Sequence, residues 1–219
     1  MLSYLPEGIS TYAADIDHVM WVIYVVVGAW FVLAEVVLFA LILRGRARDG
    51  ERAVWLPGGT WRTNAVVLVP VALVFLCDIL IEQVSDPVWH HVKIEVPNGE
   101  VTVRVTGRQF LWLFTYGGPD GTLGTSDDIV ANEMHVPMDK VVHFELESSD
   151  VLHSFFVPAL RLKQDAIPGR SVQGWFQATK EGTYEIGCAE ICGKGHTEMR
   201  STLVVQSPEA FNAWLAGPH

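Results

Sequence analysis

The sequence Cys188-Ala-Glu-Ile-Cys192-Gly-Lys-Gly-His196-Thr-Glu-Met199 places two thiols, an imidazole and a thioether within twelve residues. Soft sulfur ligands combined with imidazole favour copper or zinc over hard cations such as magnesium and calcium. The stretch lies near the end of a segment whose residues otherwise indicate β-strands. It therefore predicts a metal-binding loop on a β-sheet scaffold.

Four kinds of site compete for this loop. A disulfide between Cys188 and Cys192 suits an oxidising compartment, but it leaves His196 and Met199 without a role. A zinc site would use both cysteines, His196 and a remote histidine, and it has no use for Met199. A mononuclear blue-copper site uses one cysteine, two histidines and a weak methionine, so this loop has one thiolate too many. Two thiolates that bridge two copper ions, each also held by one imidazole, account for the whole set.

The second imidazole has to come from elsewhere in the chain. His153 is the best candidate, because an apolar strand is predicted to give way to a loop there. His135 and His143 are rivals, but both fall within apolar strand patterns that are typical of packing or surface positions. His90 and His91 adjoin an apolar run and are expected at a membrane interface.

Two apolar runs precede the β-rich part of the chain. The run from about His18 to Leu43 is long enough to span a bilayer as a helix, and the run from about Ala65 to Ile81 is close to the short limit. Half of the 219 residues are hydrophobic and the mean hydropathy is positive, which is typical of a membrane-anchored soluble domain. We therefore predict a two-helix transmembrane anchor over residues 1–85 and an extracytoplasmic domain over residues 86–219.

Arginine is concentrated between the two apolar runs. No lysine or arginine precedes the first run, and the acidic start of the chain is unlike that of a cleaved signal peptide. Because loops rich in basic residues stay in the cytoplasm, we expect this loop there and both chain ends outside. A bacterial inner membrane with a periplasmic domain is the simplest setting. The arginines of the loop are Arg44, Arg46, Arg48, Arg52 and Arg62.

From about Asp86 onward, short alternating segments separated by turns replace the helical pattern. Roughly 130 residues of this kind predict one β-sandwich or barrel, and Pro208–Leu215 predicts a short terminal helix. The domain has 17 acidic and 10 basic residues, a net charge of −7. This charge argues against a nucleic-acid partner and favours a basic protein partner. The predicted strands are Val92–Val96, Val101–Val105, Val141–Leu146, Ser171–Gln177 and Thr202–Val205.

Three blocks of sequence carry a family resemblance. They are residues 150–155 (Asp-Val-Leu-His-Ser-Phe), residues 163–170 (Lys-Gln-Asp-Ala-Ile-Pro-Gly-Arg) and residues 188–199. In order and spacing they resemble subunit II of the haem–copper oxidases, the CuA-bearing subunit of cytochrome c oxidase. The resemblance covers nearly the whole chain. It implies a membrane-anchored all-β protein, in which a transmembrane helical hairpin precedes a cupredoxin-like β-sandwich.

The resemblance also implies the ligands of a binuclear copper centre, CuA. Cys188 and Cys192 look like the bridging thiolates, and His153 and His196 look like the terminal imidazoles. Met199 resembles the weak axial ligand of one copper ion. The backbone carbonyl of Glu190 resembles the axial ligand of the other copper ion.

Further roles come from the resemblance alone. The side chain of Glu190 would also reach a magnesium ion at the interface with the catalytic subunit. Asp165 and Arg170 resemble interface residues around that magnesium ion and the haem propionates. The implied partners are the catalytic subunit I with its haem, other oxidase subunits, membrane lipid, and cytochrome c or another periplasmic electron donor.

The chain departs from the family pattern at two places. Where the family usually has the tryptophan that accepts the electron from cytochrome c, this chain has Phe110. The electron is then expected to arrive through Phe110 or through the nearby Trp112, or to come from a different donor. The glutamate that many relatives carry near the start of the second span is also missing from residues 60–64, so we assign no proton-path role there.

An acidic, turn-rich insert occupies residues 118–128. Its carboxylates Asp120, Asp127 and Asp128 are of the type that binds calcium, or they could contribute to donor docking. A plain solvated hairpin loop is the preferred interpretation.

We expect an electron-transfer subunit of a terminal respiratory oxidase. The oxygen-reducing site would lie in the partner subunit, because the interior of the predicted spans contains no histidine to ligate haem. One alternative is a CuA subunit of a nitric oxide reductase. Another is a membrane-anchored copper-binding or assembly protein, which would favour exposed, exchangeable ligands.

Overall fold

The computed structural model describes residues 5–46, 49–50, 52, 57–118 and 120–218. Arg48 of the predicted arginine loop and Pro119 of the acidic insert lie outside the described residues. The chain divides into two units. One spans Asp17–Trp89, and the other combines the described residues up to Ile16 with those from His90 onward.

Two long helices, α1 (Ala13–Arg44) and α2 (Trp61–Trp89), provide most of the first unit, which includes α1 from Asp17 onward. By length and composition both could cross a membrane, and the most apolar window of each contains no buried residue. A helix that is apolar on all sides and packs into no protein core suits a lipid environment. The two predicted apolar helices are therefore confirmed.

The chain continues from α2 into one turn of π-helix at His90–Ile94. The amide of Glu95 donates to the carbonyl of His90 at 2.9 Å, which closes this wider turn. The predicted strand at Val92–Val96 is therefore wrong. A strand needs a hydrogen-bonded neighbour, and no described strand pairs with this segment.

In the described residues, ten strands form two five-stranded sheets. The strands are β1 (Val101–Arg108), β2 (Leu111–Tyr116), β3 (Ile129–Ala131), β4 (Met134–Pro137), β5 (Val141–Ser148), β6 (His153–Val157), β7 (Leu162–Ala166), β8 (Val172–Gln177), β9 (Gly182–Cys188) and β10 (Arg200–Gln206). One sheet has the order β3-β2-β1-β5-β8, and the other has the order β4-β10-β9-β6-β7. The pairs β1–β5 and β4–β10 are parallel, and the other neighbours are antiparallel.

The sandwich predicted from the sequence is confirmed, and so is the terminal helix, α3 (Pro208–Leu215). Four of the predicted strands correspond to β1, β5, β8 and β10. His153 begins β6, so the strand follows this residue rather than ending before it. The hydroxyl of Ser148 accepts from the amide of Asp150 at 3.3 Å and donates to the carbonyl of Val151, and this turn separates β5 from β6.

Aromatic side chains join the two sheets. Phe155 of β6 is fully buried, and its ring lies 5.4 Å from Trp112, 6.3 Å from Phe114 and 6.2 Å from Phe144, measured between ring centroids. Trp112, Phe114 and Phe144 belong to the other sheet. Such edge and tilted contacts stabilise a core beyond the area they bury, and they fix the end of the sandwich where β6 begins.

A short N-terminal strap, residues 6–12, packs into the same unit as the sheets. Ile9 and Tyr12 are buried, the amide of Ile9 donates to the carbonyl of Ala159 at 2.8 Å, and the amide of Thr179 donates to the carbonyl of Ile9 at 2.7 Å. The Tyr12 ring stands edge-on to Trp175. Residues 1–85 were predicted as one anchor, whereas the structure places the strap with the β-sandwich and begins the second part at His90.

Candidate metal centre

The loop between β9 and β10 carries the thiols. Cys188 is the last residue of β9, and Met199 directly precedes β10. Since these strands are antiparallel neighbours, the two residues lie opposite each other, and the Cys188 amide donates to the Met199 carbonyl at 3.2 Å. Between them the chain forms a loop and a short 3₁₀ turn, His196–Glu198. The loop closes on itself because both its ends are held in the sheet.

His153 reaches this loop through strand pairing. In the antiparallel pair β6–β9, Phe155 is the partner of Cys188. The amide of Ala189 donates to the carbonyl of Ser154 at 3.0 Å, which extends the contact past the end of β9. The register therefore sets His153 beside the first thiol.

The potential ligand atoms form a chain around the two sulfurs. The Sγ of Cys188 lies 3.9 Å from the Nδ1 of His153 and 3.2 Å from the carbonyl oxygen of Glu190. The two Sγ atoms of Cys188 and Cys192 are 3.9 Å apart. The Sγ of Cys192 in turn lies 3.7 Å from the Nδ1 of His196 and 3.8 Å from the Sδ of Met199. All six residues predicted from the resemblance to surround the copper ions therefore come together here.

These separations fit metal ions placed between sulfur and nitrogen. Bonds of about 2.3 Å to thiolate and about 2.0 Å to imidazole, as for a first-row ion such as zinc, put the two atoms roughly 3.5 Å apart at a tetrahedral angle. The ligand atoms of His153, Cys188 and Cys192 lie within 4.8 Å of one another, and His196 is not part of that compact group. Each thiol thus has its own imidazole and its own weaker donor. That symmetry suits two ions sharing the sulfurs better than one four-coordinate ion.

The centre is largely shielded from solvent. His153 and Met199 are fully buried and Cys192 is nearly so. Burial, together with the neighbouring Cys188 thiol, raises the pKa of Cys192 to about 11. Both cysteines are free thiols, since 3.9 Å between their sulfurs far exceeds a disulfide bond of about 2.05 Å. A bound cation would have to displace the Cys192 proton.

Asp150, to which the sequence analysis assigned no role, contacts one of the predicted ligands. Its Oδ1 lies 2.8 Å from the Nε2 of His153, a hydrogen bond that turns the Nδ1 of the same ring toward Cys188. Desolvation works to raise the pKa of Asp150, but hydrogen bonds from the Gln109 amide, the His153 ring and the Val151 amide outweigh it and hold the pKa at about 2. A carboxylate on the outer nitrogen of a metal-binding histidine fixes the ring and increases its basicity. The signal that was available in the sequence is the position of Asp150 three residues before His153.

The two residues proposed to receive the electron occupy different environments. Phe110 is partly exposed, and its ring covers the loop so closely that a Cβ atom on Gly195 would lie 2.5 Å from it. Trp112 is buried, with its ring edge-on to His153 at 5.9 Å between centroids. A soluble donor can therefore contact Phe110, whereas it cannot contact the buried ring of Trp112.

The residues of the expected subunit interface lie around the same end of β6 and β7. Asp165 pairs with Ser154 across these strands, and its Oδ1 accepts from the Ser154 hydroxyl at 2.8 Å and from Lys163 at 3.2 Å. Those two hydrogen bonds lower the pKa of Asp165. Arg170 is exposed, and Glu190 is half-buried next to the first thiol.

The rival histidines serve the packing of the sandwich. The His135 ring stacks on Trp214 at 4.2 Å between centroids. The Nε2 of His143 lies 2.8 Å from the carbonyl oxygen of Pro97. Neither belongs to the compact group of potential ligands.

The carboxylates of the acidic insert are used within its own turns. Asp120 accepts from the amide of Thr122 at 2.7 Å, and Asp128 accepts from the amide of Gly124 at 2.8 Å. Asp127 accepts from the hydroxyl of Thr125 at 2.5 Å. This pattern favours a structured hairpin loop.

Two apolar helices precede, in the chain, a β-sandwich that gathers two thiols, two imidazoles and a thioether at one end. These features define a membrane-anchored cupredoxin-like domain. The family model for the periplasmic domain of cytochrome c oxidase subunit II matches residues 120–207. The alternative cytochrome c oxidase subunit 2 of Bradyrhizobium diazoefficiens is 31% identical over 220 residues, which cover 84% of this chain and 74% of that protein.

Two further proteins are similar over about half of this chain. The cytochrome c oxidase subunit 2 of Thermostichus vulcanus is 47% identical over 115 residues, which are 52% of this chain but only 32% of that longer protein. The crystal structure of the periplasmic domain of subunit II of cytochrome oxidase from Bradyrhizobium japonicum is 33% identical, with a TM-score of 0.47, and the match covers 55% of this chain and 94% of that one.

This chain belongs to the subunit II family of cytochrome c oxidases. Membership supports the oxidase function over the nitric oxide reductase and copper-carrier alternatives. It also makes copper the metal that the cluster of His153, Cys188 and Cys192 is expected to hold.

Proposed function

We propose that this chain accepts electrons from a periplasmic donor such as cytochrome c and passes them to haem in the catalytic subunit of a terminal oxidase. A binuclear copper centre would supply the one-electron redox step. The observation that supports this proposal most directly is the position of the two thiols. Their Sγ atoms lie 3.9 Å apart, and the Nδ1 atom of a different histidine lies 3.9 Å from the first Sγ and 3.7 Å from the second. Two copper ions held by these residues would share one positive charge, so that little rearrangement would accompany reduction.

The protein contributes position and shielding. The β9–β10 loop holds the thiols between two strand ends, and β6 holds His153 against them. Burial of His153 and Met199 keeps water away, which limits the solvent reorganisation that would slow electron transfer. Phe110 lies on the exposed side of this loop and is the residue we assign to donor contact, with Trp112 behind it.

The carbonyl oxygen of Glu190 lies 3.2 Å from the Sγ of Cys188 and would help to hold a copper ion there, which would leave the carboxylate of Glu190 available for a second role. We assign that carboxylate to a magnesium ion shared with the catalytic subunit, because oxygen ligands suit magnesium. Asp165 and Arg170 would then line the same interface, with Arg170 facing the haem propionates. This assignment rests on the family resemblance and on the position of Asp165 beside Ser154.

The domain is proposed to face the periplasm of a bacterial inner membrane. The chain leaves the β-unit at Ile16 and returns to it at His90, so two membrane crossings bring the strap and the sandwich to the same side. The arginines between α1 and α2 favour a cytoplasmic loop.

Copper analysis of the purified, full-length protein tests the proposal. We expect two copper ions per chain and the spectrum of a mixed-valence pair with delocalised spin. One copper with a single intense blue band, or stoichiometric zinc, would contradict it.

A further inference from the structure

Gln109 contacts both of the chain segments that carry the metal ligands. Its backbone amide donates to the Oδ2 of Asp150 at 2.8 Å. Its side-chain Nε2 donates to the backbone carbonyl of Cys192 at 2.5 Å. Asp150 in turn holds the Nε2 of His153 through its other oxygen. One residue at the end of β1 is therefore bonded to the histidine side and to the cysteine loop.

The β9–β10 loop leaves space for the side chain of Gln109. A Cβ atom on Gly193 would lie 2.8 Å from the Nε2 of Gln109 and 3.1 Å from the ring of Phe110. Gly193 also has a φ of +139°, a conformation that side chains rarely adopt. The absence of a side chain at this position lets Gln109 approach the Cys192 carbonyl directly.

The loop needs such a contact because it is held in the sheet only at its two ends. Cys192 lies near its middle, between the end of β9 and the start of the 3₁₀ turn. A hydrogen bond to its carbonyl restrains the peptide that sets the position of its Sγ. The donor belongs to the turn that directly follows β1 of the opposite sheet, so the bond also ties the two sheets together at the metal end.

We propose that Gln109 is a positioning residue that clamps the His153 and Cys192 halves of the centre at a fixed separation. It touches no metal ligand atom and acts through Asp150 and the Cys192 carbonyl. This inference rests on the proposed function, since it assigns the clamp to the same copper centre.

The variant Gln109→Ala isolates the side-chain half of the clamp, because it keeps the backbone amide that bonds to Asp150. We expect the full-length protein to bind two copper ions, but to release them to a chelator about fivefold faster. That factor corresponds to the loss of one hydrogen bond with a net value of about 1 kcal/mol. The spectrum of the mixed-valence pair should also shift, because the separation between the His153 and Cys192 segments is no longer fixed.

A matched control comes from Gln177, whose side chain likewise donates to a backbone carbonyl, that of Asp139, at 2.9 Å. Gln177→Ala removes the same kind of bond on β8 and should leave both the release rate and the spectrum unchanged. Gln109→Glu keeps the side-chain length but sets an acceptor against the Cys192 carbonyl, so it should accelerate release at least as much as Gln109→Ala.

The possible results distinguish a failure of the positioning role of Gln109 from a failure of the proposed copper function. If the original protein holds two coppers and both Gln109 variants match Gln177→Ala in release rate and spectrum, the clamp is refuted and the copper function stands. If the original protein holds no copper pair, the proposed function itself fails. Thermal unfolding of the copper-free proteins completes the test, because a general loss of stability in Gln109→Ala beyond that in Gln177→Ala would assign Gln109 a structural role instead.

Discussion

At the residue scale, Cys188 and Cys192 have distinct surroundings although they belong to one loop. Cys188 is partly exposed and faces His153 and the Glu190 carbonyl, whereas Cys192 is buried and faces His196 and Met199. Each sulfur therefore lies next to a different imidazole. In the proposed copper centre, loss of either sulfur would remove the link between the two imidazoles.

Cys192→Ser is expected to abolish the two-copper centre, because a hydroxyl is a harder and more weakly ionised donor that does not bridge two soft ions as a thiolate does. Copper content and the visible spectrum measure the outcome. Cys77→Ser in α2 is the control and should keep both. A normal spectrum in the Cys192 variant would disprove the bridging role.

Met199→Leu is expected to retain both copper ions and to raise their reduction potential. The axial ligand tunes the reduction potential of a copper site. Electron donation from the thioether would stabilise the more positively charged oxidised state, and leucine fills the same buried space without donating. Redox titration followed through the visible spectrum measures the shift. Met134→Leu, another fully buried methionine, should leave the potential unchanged, and an equal shift in the two variants would argue against a ligand role for Met199.

At the element scale, the strap makes the β-sandwich depend on residues that lie before the first helix. Ile9 is hydrogen-bonded on both sides, to Ala159 and Thr179, and Tyr12 fills a position against Trp175. A soluble fragment that begins near Val88 lacks these residues. We expect it to be less stable than the same domain in the full chain.

Tyr12→Ala is expected to destabilise the β-unit by about 3 kcal/mol, the range for removing a buried aromatic side chain. This corresponds to a fall of roughly 10 °C in the unfolding temperature of a domain of this size. Thermal unfolding of the full-length protein in detergent, followed by tryptophan fluorescence, measures it. Tyr12→Phe should change little, because the hydroxyl makes only a long bond of 3.4 Å to the Trp175 carbonyl. Equal stability of the alanine variant would show that the strap is not part of the domain.

At the scale of the whole molecule, the arginines between α1 and α2 are the basis of the proposed orientation in the membrane. We expect trypsin to cut between Arg44 and Arg62 in inverted membrane vesicles but not in intact spheroplasts, because loops rich in basic residues stay in the cytoplasm. Gel analysis for release of the α1 fragment detects the cut. Cleavage at this loop in spheroplasts would reverse the proposed topology.

The sequence by itself determined the two apolar helices, the sandwich and the chemistry of the metal loop. These depend on local information: the length of an apolar run, alternation along a strand, and the spacing of Cys188, Cys192, His196 and Met199. It failed at Val92–Val96, where β-branched alternation indicated a strand and the chain instead continued as a π-turn without a pairing partner. Local pattern does not reveal whether a neighbouring strand is available.

Only the tertiary structure decided which distant groups meet. The Nδ1 of His153 comes within 3.9 Å of a thiol 35 residues away because β6 pairs with β9 in one register, and a shift of that register would have removed it. Gln109 and the strap gained their roles in the same way, from contacts with residues far away in the sequence. The loop specifies which metal can bind, and the packing of the sandwich fixes where its remaining ligands and their supports stand.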